Sequence, residues 1–425
     1  MGRKKQRDES HLFYIDYTDS AGNRLKANEI YFVDEESFQG RQTLEIWGED
    51  TKRAERYTVD SPGVEYIFDD SGNFPIALIS PEGKRLYLKV SAKSGEVLPI
   101  HAGSCKCLEI IYVGPISAGK TVSILQMSDP AFHDAVSRGT NCSFEDDLPV
   151  QSRARLRYER ARKDLKNHIL PEKTKHGEYI LPYVYYFTCT EGANKRHILI
   201  RLQDIDGESC VNMSWKSKIL PYDYFFFTIG ADELLAGEHQ YAKVIDQLLP
   251  RLRVFRRAAD YKMVVIVSKA DLLDRENPYL KDAFENSVIM QEDGKIYQIV
   301  HGEGFDYKAF IQREESVRSY LKDECPGFYN KLLNAVPERN ITFCMTAAIG
   351  ESGDSSHHFE KYNPFCVDEP LCSVLAEEGM YPVAVYPEGH PEIEKVQGGW
   401  GDKVGDIWKA FKEKVKIDDL DDEEE

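Results

Sequence analysis

Eight consecutive residues, Gly114 to Thr121 ("GPISAGKT"), have types and spacing that suit one kind of chemistry. Glycines stand five apart, and a lysine and a threonine follow the second, the pattern G-x-x-x-x-G-K-[ST]. Gly114 and Gly119 permit tight turns, so that successive backbone N–H groups, with Ser117 and Ala118 between them, face a phosphate. A helix starting near Lys120 adds its positive N-terminal end. Lys120 then reaches the β- and γ-phosphates of a nucleotide, and the Thr121 hydroxyl sits on Mg²⁺.

A loop of this kind does not identify the base. Three stretches further along do more. "ILIRLQDIDGE" ends a strand at Asp204 with Gly207 three residues on, a D-x-x-G in which Asp204 holds Mg²⁺ through water and the Gly207 N–H meets the γ-phosphate. "VVIVSKADLL" delivers Ser268, Lys269, Ala270 and Asp271 at the end of an apolar strand. A carboxylate there accepts from guanine N1–H and N2–H₂, a donor pair that adenine lacks. "ITFCMTAAIG" ends in Thr346, Ala347 and Ala348, a turn whose backbone N–H suits guanine O6. Each stretch taken singly is an ordinary strand end; their order, each behind its own strand, is the signal.

The elements that must position these residues are legible as well. Strands are predicted at 107–113, 180–189, 196–204, 223–231, 262–269 and 340–346. "FFFTI" and "MVVIV" are near-continuous apolar runs, as strands buried on both faces require. They alternate with helical segments, which predicts an α/β fold with a mostly parallel sheet and flanking helices. A crossover helix is expected over 234–258, and a hairpin followed by one helix (308–335) in the long connection 272–339. Residues 11–100 instead read as short aromatic and β-branched strands between Gly/Asn/Pro turns, a small all-β domain whose aromatics form its core. The expected division is a basic tail (1–10), the β-rich domain (11–100), a phosphate-loop domain (101–417, with insertions near 122–175 and 272–339 and an extension over 350–417) and an acidic tail (418–425).

Composition narrows the partners. The 425 residues carry a formal net charge of −18, which disfavours broad binding to nucleic-acid phosphates. No apolar run approaches a membrane span, and the charged start "MGRKKQRDES" is not a secretory signal. Nine scattered cysteines, with Cys105 and Cys107 the sole close pair and no second pair to complete a zinc site, suggest a reducing cytoplasm.

In their order and placement the four stretches together resemble the P-loop GTPases of the translation-factor and small-GTPase class, over roughly residues 105–350. The resemblance implies GTP and GDP as ligands with Mg²⁺ as cofactor. More narrowly, Pro171 to Thr174, Asp204 to Glu208 and "DEPLCSVL" (368–375) are similar to the bacterial double-GTPase family of conflict systems, which acts with GTPase-associated partner proteins. The zinc ribbon common at the N-terminus of that family is absent, and the β-rich region stands in its place. On this resemblance Thr174 is the switch threonine that closes over Mg²⁺ and the γ-phosphate. Glu208 occupies the position of a water-orienting glutamine, where a carboxylate facing the γ-phosphate is repelled. Ile116 and Ser117 stand where glycines are common, and Ile116 crowds an arginine entering from a partner.

The activity implied is a GTP-binding switch with slow hydrolysis, working through protein effectors. A nucleotide-locked scaffold and a P-loop ATPase stay open beside it, as does self-association. Arg153, Arg155, Arg157, Arg160 and Arg162 are expected on the solvated face of a helix, with one of them reaching the γ-phosphate as the sharper alternative. His357 and His358 are expected to be solvent-exposed.

Overall fold

The computed structural model describes residues 15–34 (except 16, 20 and 21), 55–137 (except 70–72), 140–171 (except 150 and 151), 182–236 (except 192, 193 and 206–221), 242–246, 262–285, 290–292, 295–297, 304–350, 358–360 and 364–385. Its largest sheet has seven strands. In chain order these are β1 (Cys107–Val113), β2 (Cys142–Asp146), β3 (Tyr183–Glu191), β4 (Asn194–Asp204), β5 (Tyr224–Gly230), β6 (Lys262–Ser268) and β7 (Ile341–Met345). Their order across the sheet is β7-β6-β5-β1-β4-β3-β2. Strands β4, β1, β5, β6 and β7 are mutually parallel, and β3 pairs antiparallel with both β4 and β2. The protein is therefore α/β with a mostly parallel sheet, and the six predicted strands are present within a few residues. Strand β2 has no counterpart among them.

Alternation along the strands explains why the parallel part is apolar throughout. Ile111, Val113, Phe225, Phe227, Val265, Val267, Phe343 and Met345 face one core, whereas Ile110, Tyr112, Phe226, Val264, Ile266 and Cys344 face another. Both faces are covered, so neither register position tolerates a polar residue without a partner. Helix α1 (Lys120–Met127), α2 (Pro130–Ser137) and α8 (Glu369–Glu377) supply the second core. Helix α6 (Tyr307–Glu324) contributes to both cores, and α7 (Pro326–Leu333) to the first. The helix expected over 308–335 is thus two helices. Pro326 lacks an N–H and disfavours helical backbone at Cys325, whose φ is −130°. A buried ion pair between Arg313 and Glu369 joins α6 to α8. The predicted hairpin is present as Met290–Glu292 paired with Lys295–Tyr297. Of the crossover helix expected over 234–258, helix is described at α4 (Ala231–Leu235) and at 242–246, and the rest lies outside the described residues.

The N-terminal region holds two small antiparallel sheets, of four and three strands. Its core is shared with the large sheet: Ile15, Tyr17, Phe32 and Phe74 pack with Val184 and Tyr186 of β3 and Leu199 of β4. Arg201 of β4 lies in register with Glu109 of β1 on this covered face. Its guanidinium donates to Glu109 (2.9 Å) and to the Thr18 carbonyl (2.7 Å). Burial pushes the Glu109 carboxyl up to about 7, against the pull of Arg201. A second tie is His101, whose ring bonds Asp147 and stacks on Tyr186 with centroids 3.6 Å apart.

Helix α2 is anchored by His133, whose Nε2 donates to the Met127 carbonyl at the end of α1 (2.9 Å). Burial pushes this imidazole down to about 4. The folded side chain stays neutral where the unfolded one protonates, so its contribution is complete above the unfolded value of about 6.5 and is lost as pH falls toward about 4, at most about 3 kcal/mol. Urea midpoints are expected to fall more steeply between pH 7 and pH 4.5 for the wild type than for His133→Phe. Parallel curves would rule out the buried neutral imidazole.

Candidate functional site

Strand β1 is the centre of the site. The chain leaves it for β2, β3 and β4 on one side and then crosses to β5 on the other, so the loop after β1 sits where the winding reverses. In open α/β sheets ligands bind outside the carboxyl ends of the strands at that point. The loop is 114–119, and its geometry depends on glycine at two positions. Gly114 has φ 153°, and a Cβ there would stand 2.1 Å from the Thr228 carbonyl oxygen of β5. Gly119, at φ 82°, is the left-handed residue that precedes α1. Ser117 is left-handed too, at φ 63°. Left-handed positions within a short loop turn backbone N–H groups into an anion-binding concavity, and α1 adds its N-terminus.

The side chains that follow belong to the same spot. Lys120 is buried, and its ammonium donates to the Gly114 (2.9 Å) and Pro115 (2.8 Å) carbonyls, which draws it back over the loop. Thr121 Oγ1 donates to Asp204 Oδ2 (2.6 Å), across from β4. A hydroxyl and a buried carboxylate side by side make an all-oxygen donor set suited to Mg²⁺. The glycine cradle, the lysine and this pair fit a Mg-bound nucleoside polyphosphate.

The two later stretches are joined to the loop by direct bonds. Ser268 Oγ lies 2.6 Å from the Ala118 carbonyl and 3.0 Å from that of Ile229, so the end of β6 is tied to the loop and to β5. Lys269 is left-handed (φ 57°) and opens the short turn Ala270–Leu272 that carries Asp271. Burial raises the Asp271 carboxyl, and Asp232 raises it further, while Lys269 and Arg275 pull it back. The Ala270 N–H donates to the Thr346 carbonyl (3.0 Å), and the Thr346 N–H to that of Val267 (2.8 Å). Ala347 exchanges two backbone bonds with Phe365.

Thus Gly114, Ser117, Ala118, Gly119, Lys120, Thr121, Asp204, Ser268, Lys269, Asp271, Thr346, Ala347 and Ala348 lie at neighbouring strand ends on one edge of the sheet. Thr174, Gly207 and Glu208 lie outside the described residues, as does His357. Two contacts of the site have no sequence pattern behind them. Gln126, buried in the last turn of α1, donates to the Ala348 carbonyl (2.6 Å), and Asp232 of α4 pairs with Lys269. The weak cue for Asp232 was its place two residues after a strand-ending glycine.

The arginine expectation needs one correction. Helix α3 (Arg153–Lys166) carries all five, and Arg160 is exposed, but Arg162 is buried. It donates to the Ser128 carbonyl and to Tyr183 Oη (3.3 Å), with Asp146 3.6 Å away. It belongs to the packing of α3 on β2 and β3, because a helix lying on a sheet buries one of its faces whatever the charge count. Arg155 bonds Glu159 and the Leu148 carbonyl. Ile116 is 43% exposed at the rim of the loop. Among the described residues no cluster of three or more His, Cys, Asp or Glu side chains suits a metal ion, and no helix is long and apolar enough to cross a membrane.

No protein-family model matches the chain, and no curated protein matches it. A solved structure of a bacterial selenocysteine-specific elongation factor is similar over 64% of this chain, at 11% identity and a TM-score of 0.27. The matched part spans 28% of that protein's length. A likeness of that size assigns neither a fold nor an activity.

The close approach at Gly114 gives a direct test. Gly114→Ala is expected to cost about 1–3 kcal/mol, because the obstacle is a backbone carbonyl within the sheet and cannot swing aside. Thermal unfolding reads this as a lower Tm, and an unchanged Tm would mean that the loop and β5 are not in contact.

Proposed function

We propose that the protein is a guanine-nucleotide switch with slow, Mg-dependent GTP hydrolysis that acts through protein partners. The observation that carries this reading is the direct bonding of the strand ends: Thr121 to Asp204, Ser268 to Ala118, Ala270 to Thr346 and Gln126 to Ala348. A phosphate-loop pattern that is specific by itself and three stretches that are weak singly meet at one edge of one sheet, which supports the nucleotide reading.

In this reading the 114–119 backbone and Lys120 hold the phosphates, with Lys120 exchanging its two loop carbonyls for phosphate oxygens. Thr121 and Asp204 hold Mg²⁺, which when bound neutralises charge developing on the phosphates. Asp271 accepts from the guanine N1–H and N2–H₂ edge, Lys269 flanks the base, and in the 346–348 turn, whose first two N–H groups are bonded within the protein, the Ala348 N–H donates to O6. Thr174, Gly207 and Glu208 are the switch residues, with Glu208 a poor orienter of water. That is the reason for expecting slow turnover. Its protein partners are expected in the cytoplasm; in the alternative reading as a nucleotide-locked scaffold, the β-rich region (11–100) and the acidic tail (418–425) recruit them. A role in a bacterial conflict system rests on the resemblance of 171–174 and 204–208.

The test is nucleotide identity. Wild-type protein is expected to retain GDP or GTP on purification and to prefer guanine over adenine nucleotides by about 100-fold or more, as buried polar groups left unpaired by the wrong base would dictate. Asp271→Asn is expected to erase most of that preference, and Lys120→Ala to abolish binding of either nucleotide. Equal affinity for GTP and ATP would sink the guanine reading. Tight GTP binding without phosphate release in a single-turnover assay would replace the switch with a nucleotide-locked scaffold.

A further inference from the structure

The geometry points to Asp232 as a positioning residue for base recognition, holding Lys269 in the conformation that presents Asp271 to guanine. This rests on the guanine reading above and adds a residue outside its motifs. Asp232 is the second residue of α4, directly behind strand β5. Its Oδ1 accepts from the Glu233 N–H (3.1 Å), which orients the carboxylate on its own helix. Oδ2 then meets Lys269 Nζ at 2.5 Å.

Three independent features converge on this pair. Lys269 is left-handed, a conformation disfavoured for a residue with a side chain, and it is the hinge between β6 and the turn carrying Asp271. Gly230 has ordinary extended backbone (φ −73°, ψ 135°), so no turn demands glycine there. What a side chain would meet is the carboxylate: a Cβ at Gly230 would stand 2.2 Å from Asp232 Oδ1. Finally, Lys269 lowers the Asp271 carboxyl and Asp232 raises it, so both partners of the pair act on the residue assigned to the base.

The pair contributes little to global stability. The Asp232 side chain is 50% exposed and that of Lys269 31%, and ion pairs of that exposure are weak. Its consequence is geometric. With the ammonium pinned to α4, the Lys269 stem is fixed beside the base edge and the Ala270–Leu272 turn is held against Thr346. Without the pin, the left-handed hinge relaxes and Asp271 loses its aim, while the phosphate loop on the other side of Ser268 is unaffected.

Two variants separate this from a general loss of structure. Asp232→Ala removes the carboxylate. Gly230→Ala leaves Asp232 in the chain but pushes its carboxylate off Lys269. Binding of Mg·GDP, Mg·ADP and pyrophosphate is measured by calorimetry for the full chain, with Tm as the control for folding. Each variant is expected to weaken GDP by roughly fivefold and to lower the GDP-to-ADP preference in proportion, with pyrophosphate affinity and Tm unchanged. The double variant is expected to lose no more than either single one. Wild-type preference retained in Asp232→Ala, or equal loss of GDP and pyrophosphate, would overturn the assignment of Asp232. Wild-type protein that binds GDP and ADP alike would instead overturn the guanine reading on which it rests.

Discussion

Strand β1 is hydrogen-bonded on both edges and buried on both faces, and the site is a consequence of that confinement. A strand with β4 on one side and β5 on the other leaves its successor no room to continue in the sheet plane. The chain must turn at Gly114, against the Thr228 carbonyl, and must re-enter as a helix on one face. The concave 114–119 loop is thus what a central parallel strand produces when its exit loop is rich in left-handed positions. Lys120 and Thr121 are aimed because α1 begins where the loop ends.

The same edge ties the loop after β1 to the two later strand ends. Ser268 bonds the loop, the 268–271 turn bonds the 346 turn, and Gln126 returns from α1 to Ala348. These bonds close a ring around the site through three strand ends and a helix, while the bond of Ser268 to Ala118 holds the loop independently of the turn that follows it. On the opposite flank, Arg201 ties the N-terminal unit to β4, three residues before Asp204, and to β1, whose end is the loop. A buried guanidinium and carboxylate are costly to desolvate, so the Arg201–Glu109 pair adds little net stability, and it is the bond to the Thr18 carbonyl that joins the N-terminal region to the sheet.

Parallel strands were legible because burial on both faces leaves them apolar throughout, and "FFFTI" and "MVVIV" admit few other readings. Strand β2 was not. "CSFED" is short, half polar and at the sheet edge, and its pairing partner lies some forty residues away. The break at Cys325 was written in Pro326, but the apolar periodicity runs through it and hides the change of axis. Arg162 looked like its neighbours because charge alone does not say which face of α3 meets the sheet.

By itself the sequence determined the local chemistry: a glycine-flanked loop with lysine and threonine, three strand-ending motifs, and an α/β alternation to carry them. These are short-range properties, set by backbone freedom and hydrophobic period. Only the tertiary structure decided that the four stretches adjoin, because adjacency of parallel strands depends on crossover connections that no local spacing encodes. It also decided the roles of Gln126 and Asp232, residues of ordinary type whose partners, Ala348 and Lys269, lie far along the chain. Asp232 is the clearest case: the Glu233 N–H ties it to its own helix, and packing alone brings its other carboxylate oxygen to Lys269 on a different strand end.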